Sequence, residues 1–270
     1  MKRRRTIVSL MLSLSLLAAL LSGCGGNQAD DSAATPADAD STEFLVIGVD
    51  CPMTGGNAGF GEQLSLGAQM AADEVNAAGG INGKMVKLDI QDDKSDPKEA
   101  ATIATKFVAD ESVVASVGDY NSSCCLAALP IINEGKLVSI FTGSNPDISE
   151  QNKTYGFRTE PSDNQQAVYA ADWMVEDGCQ KVAILYETSD YGMGQEKIIT
   201  QILTDAGAEI VCSEAYVINE TRDFTNILTK VKNSGADSLF LAGTYTEGAL
   251  IVKQQKSLGM DLPCYSSSSM

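Results

Sequence analysis

Histidine is absent from this 270-residue chain, and tryptophan occurs once. The first absence removes both the commonest general base and the commonest nitrogen ligand for metals. No CxxC occurs, so a zinc ribbon or dithiol redox centre has nothing to stand on. No G-x-S-x-G or paired-carboxylate motif marks a hydrolase, and no enzyme activity or cofactor is expected. Positive charge is scarce: 19 Lys and Arg face 36 Asp and Glu, for a net charge of −17. Such a chain lacks the basic footprint of nucleic-acid binding. After residue 21 no apolar run is long enough to span a membrane.

What is present begins at the N-terminus. MKRRRT is basic, Ile7 to Leu21 is apolar, and Leu21-Ser22-Gly23-Cys24 follows. This resembles a bacterial lipoprotein signal over residues 1–23, cleaved before Cys24 with lipid on its sulfur. The other reading is an ordinary signal peptide with a chance cysteine. Loss of the four basic residues takes the charge from −17 to −21. Residues 24–43 are rich in Ala, Asp, Ser and Gly and predict a flexible tether. The remaining cysteines (Cys51, Cys124, Cys125, Cys179, Cys212 and Cys264) show no disulfide framework and read mostly as small buried residues.

From Phe44 the pattern alternates. Apolar runs at 45–50, 85–90, 113–118 and 137–141 predict strands. Helices are expected over 62–77, from the Asp96-Pro97 start, and over 126–132. Leu64, Ala68, Ala71 and Val75 make the inner face of the first, and Ile103, Phe107 and Val108 that of the second. YGFRTEPSDNQQ breaks the rhythm, with Ser162 and Gln165 as a capping box. The alternation resumes with helices over 164–177, 193–206, 223–234 and 247–258, and strands at 181–186, 209–217 and 238–243. Strands alternating with helices predict parallel sheets covered on both faces. Two such α/β units are expected, 44–159 and 160–270. Ligands of open parallel sheets sit beyond the carboxyl ends of the strands. Here those ends are rich in Gly, Ser, Thr, Tyr and Asn, which suit a small polar ligand.

The segment VGDYNSSCCLAALP raises the sharpest question, because two serines and two cysteines interrupt an apolar pattern. IGVDCPMTGGNAGFGEQLSLGAQMAADEVNAAGGINGK, QDDKSDPKEAATIATKFV, GDYNSS, SNPDIS, FRTEPSDNQQ, YETSDYGMGQ and LFLAGTYTEGALIVKQ together resemble the branched-chain amino-acid-binding proteins. These are type I periplasmic binding proteins of ATP-driven transporters. The resemblance implies two α/β lobes that close on one amino acid or similar small carboxylate. It implies transfer to a permease with its ATPase subunits, and an extracytoplasmic, lipid-anchored location. A ligand-sensing module of a receptor system is the alternative.

Carried over residue by residue, Ser122 and the run Thr142, Gly143 and Ser144 would hold the ligand carboxylate. A plain N-cap is the other reading of Ser122. Phe60 and Tyr120 would line the side-chain pocket, Tyr191 would face the ligand from the second lobe, and Thr244 and Glu247 lie on its contact loop. SSCC then reads as the lip of a site, with Cys124 and Cys125 packed behind it on a helix. Where relatives carry an acid for the ammonium, this chain has Ser268, so Glu247 or Asp190 takes that role or the ligand lacks an α-ammonium. Gly79 to Met85 fails the P-loop spacing. Asp89, Asp92, Asp93 and Asp96 do not match a calcium loop and read as a solvated turn with a helix cap. The family pattern continues past Met270, which implies a truncated fold with exposed apolar surface on the first lobe.

Overall fold

The computed structural model describes residues 44–151 and 154–270; the predicted signal, Cys24 and the tether lie outside them. Residues from Thr42 onward form one compact unit. Five parallel strands make the first sheet: β1 (Phe44–Cys51), β2 (Met85–Asp92), β3 (Val113–Val117), β4 (Val138–Phe141) and β5 (Gly156–Arg158), in the order β2-β1-β3-β4-β5. The second sheet contains β6 (Lys181–Glu187), β7 (Glu209–Tyr216), β8 (Ser238–Ala242) and β9 (Cys264–Ser266), in the order β7-β6-β8-β9.

The described helices are α1 (Ala58–Ala77), α2 (Pro97–Ala109), α3 (Ser122–Glu134), the single turn α4 (Asp147–Glu150), α5 (Asp163–Glu176), α6 (Asp190–Asp205), α7 (Thr225–Ser234) and α8 (Tyr245–Ser257). Local chemistry sets several ends. Asp96 caps α2 by accepting from the Lys98 N–H, with Pro97 in the first turn. Ser162 and Gln165 complete their capping box on α5. Gly235 closes α7 in the left-handed region, φ 74°. Among the described residues no helix is long and apolar enough to cross a membrane.

The second sheet is buried on both faces. Val182, Ile184 and Phe240 pack under Ala170, Met174, Ile199 and Leu203 of α5 and α6. Ala183, Leu185, Leu239 and Leu241 pack under Leu228, Val231 and Ile251 of α7 and α8. This explains why β6 and β8 read as continuous apolar runs. The first sheet is covered differently. Phe107, Ile103, Cys124, Ala128 and Ile132 of α2 and α3 fill one side. Cys125, Leu129, Phe141 and Ile148 extend that layer. On the other side α1 packs chiefly on β1 and β2. Val114, Val138, Ile140 and Phe157 therefore stand exposed on β3 to β5.

Three expectations shift. The buried residues of α1 are Gly61, Ser65 and Ala72, while Ala71 is exposed. Leu64, Ala68 and Val75 are half-buried beside them. The YGFR segment supplies a strand, β5, that joins the first sheet. The acidic turn is only partly solvated. Lys94 and Ser95 take left-handed backbone angles of 58° and 61°, the chain reverses, and Asp93 is fully buried.

Candidate functional site

The carboxyl ends of both sheets face one cleft. Helices α3 and α6 begin there directly after β3 and β6, and α8 begins there after β8. A helix start presents N–H groups without intrahelical partners and a positive dipole end. The cleft is therefore suited to an anion without supplying a single Lys or Arg to its wall.

The cleft and its open mouth together hold about 580 Å³ of non-atom space, open solvent included. From the first lobe it is lined by Ser95, Tyr120, Asn121, Ser122, Ser123, Thr142 and Ser144. From the second come Glu187, Ser189, Tyr191, Ile218, Thr244, Ser268 and Ser269, with Glu160 and Gln166 between the two sets.

Ser122 is buried at the first position of α3, where its Oγ accepts from the Asn145 N–H at 3.2 Å. Ser123 Oγ accepts from the Asp190 N–H at 3.0 Å. Each hydroxyl thus spends an acceptor on a main-chain donor and keeps its hydrogen to donate. Thr142 Oγ1 instead donates to the Asp119 carbonyl, 3.2 Å. Tyr120 Oη donates to Ser269 Oγ at 3.1 Å, and Tyr191 Oη pairs with Ser267 Oγ at 2.6 Å. Burial raises the pKa of both phenols, so both stay neutral.

Opposite stands Glu187, at the end of β6 and 2% exposed. Its Oε1 accepts from Ser189 Oγ at 2.6 Å, and its Oε2 has no hydrogen-bond partner. Burial first, and the Glu247 charge after it, pushes its pKa up to about 7. A buried carboxyl with an unpartnered oxygen on a cleft wall is a receptor for a cation or a strong donor.

The predicted residues divide. Ser122, Thr142, Ser144, Tyr120, Tyr191 and Thr244 line the cleft. Phe60 does not; it stacks on Tyr120, ring centres 3.9 Å apart, and tilts against Tyr245. Gly143 lies behind the wall, where an added β-carbon would meet Cys125 Sγ. Glu247 is buried and paired with Arg222 at 3.0 Å. Asp190 contributes its main chain: its carbonyl accepts from Asn145 Nδ2 at 2.6 Å. Cys124 and Cys125 are buried on α3, and every described cysteine is free. Glu187, Ser123 and Ile218 were not predicted as contacts. Glu187 falls one residue past the predicted strand 181–186, at a carboxyl end, and the structure extends β6 to include it.

Comparison with known proteins agrees with this fold. The periplasmic binding protein family matches residues 45–270. An amino acid binding protein of Pseudomonas aeruginosa is 36% identical over 218 residues, which are 80% of this chain and 58% of that protein. A Leu/Ile/Val-binding protein homolog of Brucella suis is 33% identical with the same coverage. The crystal structure of a branched-chain amino acid transporter substrate-binding protein from Streptococcus pneumoniae, in complex with isoleucine, superposes with a TM-score of 0.75 at 30% identity. That match covers 82% of this chain and 63% of that one. The chain thus spans about 58–63% of the length of these relatives.

Proposed function

Because the chain belongs to the periplasmic binding protein family, we propose that it captures a small amino acid of the branched-chain type in this cleft. The observation that carries this reading is the pair of opposed ends: Ser122 and Ser123 with free hydroxyl hydrogens at the start of α3, and Glu187 with an unpartnered oxygen across the cleft. The helix end and hydroxyls take the carboxylate, joined by Ser144 beside them. Glu187 takes the ammonium that Glu247, already engaged by Arg222, leaves unclaimed. Tyr120, Tyr191 and Ile218 receive the side chain. The relatives' printed ligands, isoleucine among them, support the same class.

The chain performs no chemistry in this reading. Ligand bridges the lobes and shifts an open–closed equilibrium. Lipid on Cys24 holds the protein at the outer membrane face, and the closed form docks on an ATP-driven permease. Calorimetric titration of the chain with isoleucine, with the deaminated acid and with the decarboxylated amine tests the site. Isoleucine binds, and each analogue binds about tenfold more weakly or worse, since a lost hydrogen bond to a charged group costs about 1.5–3 kcal/mol. Equal binding of all three would remove the opposed-end reading, and no response to any amino acid would remove the function.

A further inference from the structure

Parallel strands that neighbour one another end together. The order β2-β1-β3 therefore brings three acids side by side: Asp93 just after β2, Asp50 near the end of β1, and Asp119 just after β3. All three are buried, as is Cys124 on α3. One ligand atom each of Asp93, Asp119 and Cys124 lies within 4.8 Å of the others.

The carboxyls are oriented rather than merely crowded. Asp93 Oδ1 accepts from the Ser95 N–H at 2.5 Å, and Asp119 Oδ1 from the Asn121 N–H at 2.9 Å. Their Oδ2 atoms have no donor from outside the group; the Asp93 and Asp119 carboxyls meet each other, and Cys124 meets Asp119. Asp50 meets Asp93 through its carboxyl, and its Oδ1 is also without a partner. Buried carboxylates are normally paired or bound to a metal. The ion pairs Lys94–Glu99, Arg222–Glu247 and Lys230–Glu214 lie elsewhere.

We propose that Asp93, Asp119 and Cys124 form a binding site for one divalent cation of the zinc class. Three protein ligands with one sulfur, and a fourth position left open, fit zinc, whereas calcium requires six to eight oxygens. Zinc distances of about 2.0–2.3 Å place ligand atoms roughly 3.3–3.7 Å apart, so the present span closes with side-chain movements of about 1 Å. One carboxyl oxygen held by a main-chain N–H and the other turned to the metal is the usual outer-shell arrangement. The site also has a structural role. Ser95 and Asn121, whose N–H groups hold Asp93 and Asp119, line the cleft and are bonded to each other, Asn121 Nδ2 donating to Ser95 Oγ at 3.2 Å. The cation therefore fixes one wall of the cleft. None of this depends on which ligand the cleft takes.

The test uses the full chain, stripped of metal and titrated with zinc, calcium and magnesium while thermal unfolding is followed. Zinc binds one per chain and raises the unfolding temperature; calcium and magnesium leave it unchanged. Cobalt(II) in the unaltered chain gives a thiolate-to-metal absorption band. Asp119→Asn and Cys124→Ser weaken zinc by at least the ten- to hundredfold seen for outer-shell losses, roughly, and Cys264→Ser does not. No zinc uptake by the unaltered chain overturns the proposal. So does a response to calcium alone, or equal zinc affinity in Asp119→Asn and Cys124→Ser, which would place the metal on surface acids. If Cys124→Ser fails to fold, the cobalt band and the isosteric Asp93→Asn decide by the same rule.

Discussion

Replacing Glu187 by glutamine should flatten a definable part of the stability–pH curve. The carboxyl is 2% exposed, and burial pushes its pKa from an ordinary 4.5 to about 7. At about 1.4 kcal/mol per pH unit, that difference corresponds to about 3 kcal/mol. The pKa is raised in the folded state, so its contribution is fully present below pH 4.5. It is lost as pH climbs through about 7. The unaltered chain should therefore lose about 3 kcal/mol more than Glu187→Gln between roughly pH 4.5 and 8. The amide keeps the shape and can still accept from Ser189 Oγ, which now bonds Oε1. Urea unfolding of both proteins at several pH values gives the two curves, and only their difference matters, because other buried acids titrate in both. Parallel curves would refute the reasoning. A ligand ammonium should then restore the lost stability in the unaltered chain at pH 8 and not in Glu187→Gln.

Ser122→Ala should lower stability by about 1–3 kcal/mol, because the Asn145 N–H loses its buried acceptor, and should also weaken amino-acid binding in calorimetry; unchanged affinity would exclude the serine from the site. Gly118→Ala should cost about 3 kcal/mol or more in the same unfolding assay. Its φ is 116°, and a β-carbon would stand 1.9 Å from the Asp50 carbonyl oxygen. Asp96→Ala removes the cap of α2 and should cost about 1 kcal/mol; a loss under a few tenths would mean the cap is idle. Cys24→Ala should move the protein from the membrane fraction to the soluble fraction of the producing cell.

The strands were legible because their burial is extreme. β6 and β8 are enclosed on both faces, and nothing but a continuous apolar run satisfies that environment. Helix starts were less legible, and for one shared reason. α1, α3 and α6 each begin three or four residues before the predicted point, in the stretches AGFG, SSCC and DYGM. These first turns carry glycine, serine and cysteine, weak helix formers, or aromatic rings turned to the cleft or the opposite lobe, and local propensity is overridden there. β5 is three residues long and owes its existence to pairing with β4, so no periodicity could reveal it. Ser122 was legible through resemblance and its place after β3. Glu187 and the Asp50–Asp93–Asp119 group were not, because sheet order, not sequence distance, assembles them.

The seam between the lobes has a consequence for inheritance. The Gly59 N–H donates to Tyr245 Oη and Thr246 Oγ1 donates to the Gly56 carbonyl. The Asp190 N–H and carbonyl meet Ser123 and Asn145. In every one of these contacts one partner is main chain, present whatever side chain a descendant carries. Drift on that side cannot delete the bond; it can only block the approach. At Gly56 it would, since a β-carbon would stand 1.9 Å from Asn219 Oδ1. Position 56 should therefore stay glycine in descendants, while Ser123, which lines the cleft as well as holding the Asp190 N–H, ties any change of cleft chemistry to the seam.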